Sequence, residues 1–184
     1  MKLRAFHNDP KIKAKYVARV LEHQRLDHIV KGIYWEKGKG CAVGCTIEGS
    51  DHSKYETELG IPKEIAYLED ALFEELDNSK AKEFPLKFLK AIPVGADLSN
   101  IIAKYVIWQF EDKKHGMAQV KDIKENKESM DICREVVALY KRKLKGDNPT
   151  EQEWLELAHR ADNLYWAWAR VWARAWAWAE VGVG

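Results

Sequence analysis

The stretch NPTEQEWLELAHRADNLYWAWARVWARAWAWA, residues 148–179, is the clearest helix in the chain and sets how the rest is read. Thr150 with Glu153 three residues on makes a capping box, in which each side chain serves a free amide of the other's first turn. At 100° per residue, Trp154, Leu157, Ala161, Leu164, Tyr165, Trp168, Trp172, Trp176 and Ala179 share one face. Glu156, His159, Asn163, Arg170 and Arg174 fall opposite, the division expected of a helix with one buried stripe. The predicted helix covers about 150–181 and spans roughly 45 Å at 1.5 Å per residue.

The same period recurs upstream. Residues 121–145 read as a charged surface helix packing through Val136, Val137, Tyr140 and Leu144 and ended by Gly146. Residues 101–110 are apolar nearly all round and read as a central helix, capped by Asp97 or Ser99. A short helix is expected over 85–92. Another follows Gly60, with Ile65, Leu68, Leu72 and Leu76 on one stripe. Asp9-Pro10 starts the first, with Ile12, Tyr16, Val20, Leu26 and Val30 at helical spacing and its end near Gly32. Between these lie Ile33-Tyr34-Trp35, the turn-like Lys37-Gly38-Lys39-Gly40, and a run from Cys41 to Ile47 rich in β-formers. They suggest at most one short β-hairpin near residues 33–47. The expected fold is therefore mainly α, a single-domain bundle of about six helices over residues 1–184.

Composition narrows the function classes. The 184 residues are 46% hydrophobic and 32% charged, which excludes disordered and collagenous chains. A formal charge of +1 gives no global reason to expect nucleic acid or an anionic membrane as partner. The first residues lack the apolar run of a signal peptide, and no stretch reads as a membrane span. Three cysteines give no secreted disulfide framework, so a cytoplasmic protein with reduced thiols is expected.

Residues 38–58, GKGCAVGCTIEGSDHSKYETE, hold the densest chemistry. Cys41, Cys45 and His52 are candidate zinc ligands, because thiolate and imidazole suit that ion, although Cys-x3-Cys is not a standard knuckle spacing. The glycines, with Lys37 and Lys39, are also a candidate anion loop of free amides, but the Gly-Lys-Ser/Thr ending of a P-loop is missing. A third reading pairs Cys41 or Cys45 with His52 as nucleophile and base, oriented by Asp51 or Glu56. Tyr55 adds a polar contact. On the first helix His23 and Asp27 lie four apart within the core-facing arc, where each needs a partner, and they join the ligand-binding candidates. The cofactor, if any, is left unknown by the sequence. Trp166 projects from the polar face of the last helix beside Arg170 and Arg174, which makes self-association or a partner contact the reading there.

The run KGCAVGCTIE at residues 39–48, continued by DHSKYETELGIP at 51–62, resembles an uncharacterised family of bacterial and phage proteins. The resemblance extends from about Phe6-His7 through Tyr140, and the alanine and aromatic tail is similar too. It supports reading the Gly-Cys loop as one unit and leaves a phage or prophage origin open. It implies no reaction. The function expected is a helical binding protein that captures a small polar or anionic ligand, or a host factor. His23, Asp27, Lys39, Cys41, Cys45, His52, Tyr55 and Glu56 are the candidate contacts. A hydrolase using Cys41, Cys45 and His52 is the alternative, and an interaction protein acting through the tryptophan helix is a third.

Overall fold

The computed structural model describes residues 3–162. The protein is mainly helical, as its periodicities predict: ten α-helices and one two-stranded antiparallel sheet occur among the described residues. More helices form than expected because short segments of four to six residues fold between the long ones. The chain divides into two compact units, residues 1–99 and 100–184.

In the first unit, α1 (Pro10–Arg25) begins as its sequence dictates, with the Asp9 side chain accepting the Lys11 amide at 2.8 Å. It buries Tyr16, Val20 and His23. The helix stops at Arg25, short of the expected Gly32, because Asp27 takes a left-handed φ of 56° and turns the chain. Leu26 is therefore exposed rather than part of the stripe.

The hairpin is smaller than predicted. Strands β1 (Trp35–Glu36) and β2 (Lys39–Gly40) pair Trp35 with Gly40 and Glu36 with Lys39. Lys37 and Gly38 between them both have positive φ, the two-residue turn that suits a right-twisted hairpin. The run expected as the second strand is instead a helix, α2 (Ala42–Ile47), all six residues of which are buried.

Four further helices complete this unit: α3 (Lys54–Leu59), α4 (Lys63–Glu75), α5 (Asn78–Ala81) and α6 (Phe84–Ala91). Its two ends meet. The Ala5 amide donates to the Ala96 carbonyl at 3.0 Å and the Gly95 amide to the Ala5 carbonyl at 2.8 Å.

The second unit contains α7 (Ile101–Glu111), α8 (Lys121–Glu125), α9 (Lys127–Leu144) and α10 (Glu151–Asp162). Helix α7 is not central: it buries Ala103, Val106 and Phe110 while Trp108 and Ile101 are exposed. The single helix expected over 121–145 breaks at Asn126, whose side chain accepts the Ser129 amide at 3.0 Å and restarts the chain as α9. Val106, Phe110, Ile123, Val137, Tyr140 and Trp154 form the core. The capping box of α10 is present, with the Thr150 amide 2.7 Å from Glu153 and the Glu153 amide donating to Thr150 Oγ1 at 3.3 Å. The expected continuation of this helix, with Trp166, Arg170 and Arg174, lies outside the described residues. No helix among the described residues is long and apolar enough to cross a membrane.

Candidate functional site

The Gly-Cys loop is organised by one backbone carbonyl. Gly40 and Gly44 both pack so tightly against the Tyr34 carbonyl that a Cβ at either would collide with it. Neither glycine has a positive φ, so the requirement is close approach rather than backbone freedom. The same carbonyl accepts from the Cys41 amide at 3.3 Å and lies 3.7 Å from the Cys41 thiol.

That packing commits the loop amides internally. The Gly40 amide donates to His28, the Cys41 amide to Ile33 at 2.7 Å, and the Gly44 amide to the Cys41 sulfur at 3.3 Å. An anion loop needs its donors free, so these three amides are not available to one. Lys39 sits exposed on β2.

Fixing the Tyr34 segment against α2 leaves a cavity of about 430 Å³ between it and α4, bounded also by the loop that leads into α3. It is lined by Gly32, Ile33 and Tyr34, by Cys41 and His52, and by Tyr67, Asp70, Ala71 and Glu74 of α4. The volume falls within the range of small-molecule pockets.

His52 is the centre of the wall. Its ring stacks on Tyr67 with centroids 4.6 Å apart and planes 12° apart, and Tyr34 meets it edge-on at 5.6 Å and 82°. Nε2 lies 3.2 Å from Asp70 Oδ2, and Nδ1 lies 3.2 Å from the Ser50 carbonyl. Both ring nitrogens therefore face oxygen acceptors. Asp70 is only 9% exposed, and its Oδ1 has no hydrogen-bond partner. Next to it Glu69 is fully buried, with Oε2 accepting the Tyr55 hydroxyl at 2.6 Å and Oε1 unpartnered. Burial, and then the neighbouring Asp70 charge, push the Glu69 carboxyl up to about 8 against the opposing Tyr55 hydrogen bond.

The cysteines do not act together. The Cys45 thiol points to the Gly40 carbonyl at 3.3 Å and the His28 carbonyl at 3.5 Å, away from the cavity that Cys41 lines. Burial holds Cys45 up at about 12, and burial with the Asp70 carboxylate raises Cys41 further still. Among the described residues no three His, Cys, Asp or Glu side chains converge as metal ligands, so the proposed set of Cys41, Cys45 and His52 is not assembled.

The remaining expected site residues scatter. His23 is buried with Nε2 3.5 Å from Glu48 and its ring edge-on to Trp35; burial lowers its pKa against the pull of Glu48. It does not meet Asp27, which lies beyond the end of α1 and pairs at 2.6 Å with Lys82, the hydrogen bond that holds its carboxyl low. Tyr55 is in the core. Glu56 accepts the Lys63 amide at 3.1 Å and so caps α4.

Of the predicted contacts only Cys41 and His52 reach the cavity. Tyr34, Tyr67, Asp70 and Glu74 were not expected there. Glu69 carries a legible signal, since it falls on the apolar i, i+4 stripe between Ile65 and Phe73. Asp70 carries none, because its link to His52 joins residues eighteen apart on separate elements. Comparison of the chain with protein-family models, curated proteins and solved structures finds no match.

Proposed function

We propose that this protein binds a small polar molecule in the cavity beside His52 and Asp70. One observation carries the reading: a buried carboxylate in the wall of a 430 Å³ cavity has an oxygen without a partner. A buried carboxylate oxygen left unpaired costs on the order of 1–3 kcal/mol, and such a cost persists where another group compensates it. An anionic ligand fits the wall poorly, since Asp70 and Glu74 line it. A phage origin remains compatible with a protein that sequesters a small molecule.

The hydrolase alternative is less well supported. A cysteine nucleophile needs a neighbouring base with a free nitrogen, and both nitrogens of His52 already face Ser50 and Asp70. A raised thiol pKa also keeps Cys41 protonated near neutral pH.

The test is native mass spectrometry of the purified protein beside its denatured mass, repeated on Ala71→Trp, which fills the cavity from α4. A retained small-molecule mass that is lost in the variant, with circular dichroism unchanged, supports the reading. The same adduct on both proteins would place the ligand elsewhere.

A further inference from the structure

Resting on the reading that the cavity is a ligand site, we infer that it selects a small organic ammonium ion, held by Asp70 and Glu74 and faced by the Tyr34 and Tyr67 rings. None of the residues lining the cavity is lysine or arginine. Lys31, next to Gly32 in the chain, turns its ammonium to main-chain carbonyls at the end of α4, 3.0 Å from that of Glu74.

The charge of the wall is negative under every arrangement of protons that its hydrogen bonds allow. With Nδ1 donating to Ser50, Nε2 either donates to an ionised Asp70 or accepts from a protonated one. In the first case one imidazolium faces two carboxylates, Asp70 and Glu74. In the second, both His52 and Asp70 are neutral and Glu74 alone is charged. An ammonium ion is attracted in both.

The aromatic residues give the ion a second kind of contact. Tyr67 is 42% exposed and stacks on His52, while Tyr34 stands nearly perpendicular to His52 and lines the same cavity. Ring faces meeting at a large angle beside a carboxylate form the surroundings in which alkylammonium groups are held, through the negative face of each ring. Asp70 is about nine-tenths buried; His52 and the Cys41 thiol interact with it, yet its Oδ1 has no hydrogen-bond partner, so its charge is incompletely compensated. A cation within the cavity completes it.

The inference is tested by calorimetric titration of the full chain with tetramethylammonium, methylammonium, tert-butanol and acetate. Both ammonium ions should bind at least about tenfold more tightly than neutral tert-butanol or acetate, a difference of about 1.4 kcal/mol. Tyr67→Leu should weaken tetramethylammonium more than methylammonium, since the former relies on the rings. Asp70→Asn should weaken both, and Glu74→Gln, at an exposed position, keeps the charge test available if the buried variant does not fold. Equal binding of tert-butanol or acetate would overturn the ammonium inference while leaving the ligand site standing. Binding of ammonium unchanged in both Tyr67→Leu and Glu74→Gln would overturn it by placing the ion elsewhere. Absence of binding by any probe, with no retained mass in the native spectrum, would remove both readings.

Discussion

Glu69 is where one side chain most clearly opposes the fold around it. A carboxyl with no exposure and a single hydroxyl partner holds its proton to about pH 8, whereas in the unfolded chain it returns to about 4.5. Between those values the folded state binds more protons than the unfolded state, so stability falls as pH rises through that window and levels off above it. The slope contributed is about 1.4 kcal/mol per pH unit. Glu69→Gln keeps an oxygen for the Tyr55 hydroxyl and removes the ionisation. Urea unfolding of the two proteins from about pH 5 to about pH 8 should show the wild type losing stability relative to the variant throughout. Parallel curves would mean that Glu69 ionises in the fold as it does in the unfolded chain. The Tyr55 hydroxyl would then stabilise the carboxylate more strongly than its geometry suggests.

Helix α2 shows how an element can be hidden by its own burial. Residues 42–47 include Val43, Thr46 and Ile47, have no polar face, and follow a glycine-rich turn, so they read as a strand. A helix buried all round has no periodicity to report. What makes it a helix is tertiary: Gly40 and Gly44 admit the Tyr34 carbonyl, and the carbonyl ties the β1 segment to the start of α2. Gly44→Ala separates the local from the tertiary term with opposite signs. Helix propensity alone would make alanine about 1 kcal/mol more stable. Collision with a carbonyl already held by Cys41 should instead destabilise the protein by about 1–3 kcal/mol, as overpacking does. Gly49→Ala is the control, since its new methyl meets nothing closer than 3.7 Å, and thermal melts should place it near the wild type. A Gly44→Ala protein at or above wild-type stability would show that the Tyr34 segment moves freely. The amphipathic and capped helices, α1, α4, α9 and α10, were legible because their signals lie within one or two turns. The cavity was not, because Cys41, His52 and Asp70 come from three separate stretches and meet through packing alone.

At the scale of the whole molecule, everything the cavity needs lies between Gly32 and Glu74, inside the first compact unit. That unit closes on itself. Backbone hydrogen bonds join Ala5 to Gly95 and Ala96, so its first and last segments complete each other without any residue beyond Ser99. Gly95 adopts a φ of 76° there, which lets the chain turn back onto the first residues. Within it Phe6, Tyr16, Tyr55, Leu59, Phe73 and Leu89 are all nearly inaccessible. A chain of about 100 residues can bury enough apolar surface to stand alone. A protein ended after Ser99 should therefore unfold in one cooperative thermal transition and bind tetramethylammonium as the full chain does. One ended after Ile92 lacks the segment that pairs with Ala5, and should melt at lower temperature or without cooperativity. Calorimetry and circular dichroism on the two fragments distinguish the cases. A fragment of residues 1–99 with no cooperative melt would show that residues beyond Ser99 are needed to hold the first unit together, and with it the cavity that His52 and Asp70 define.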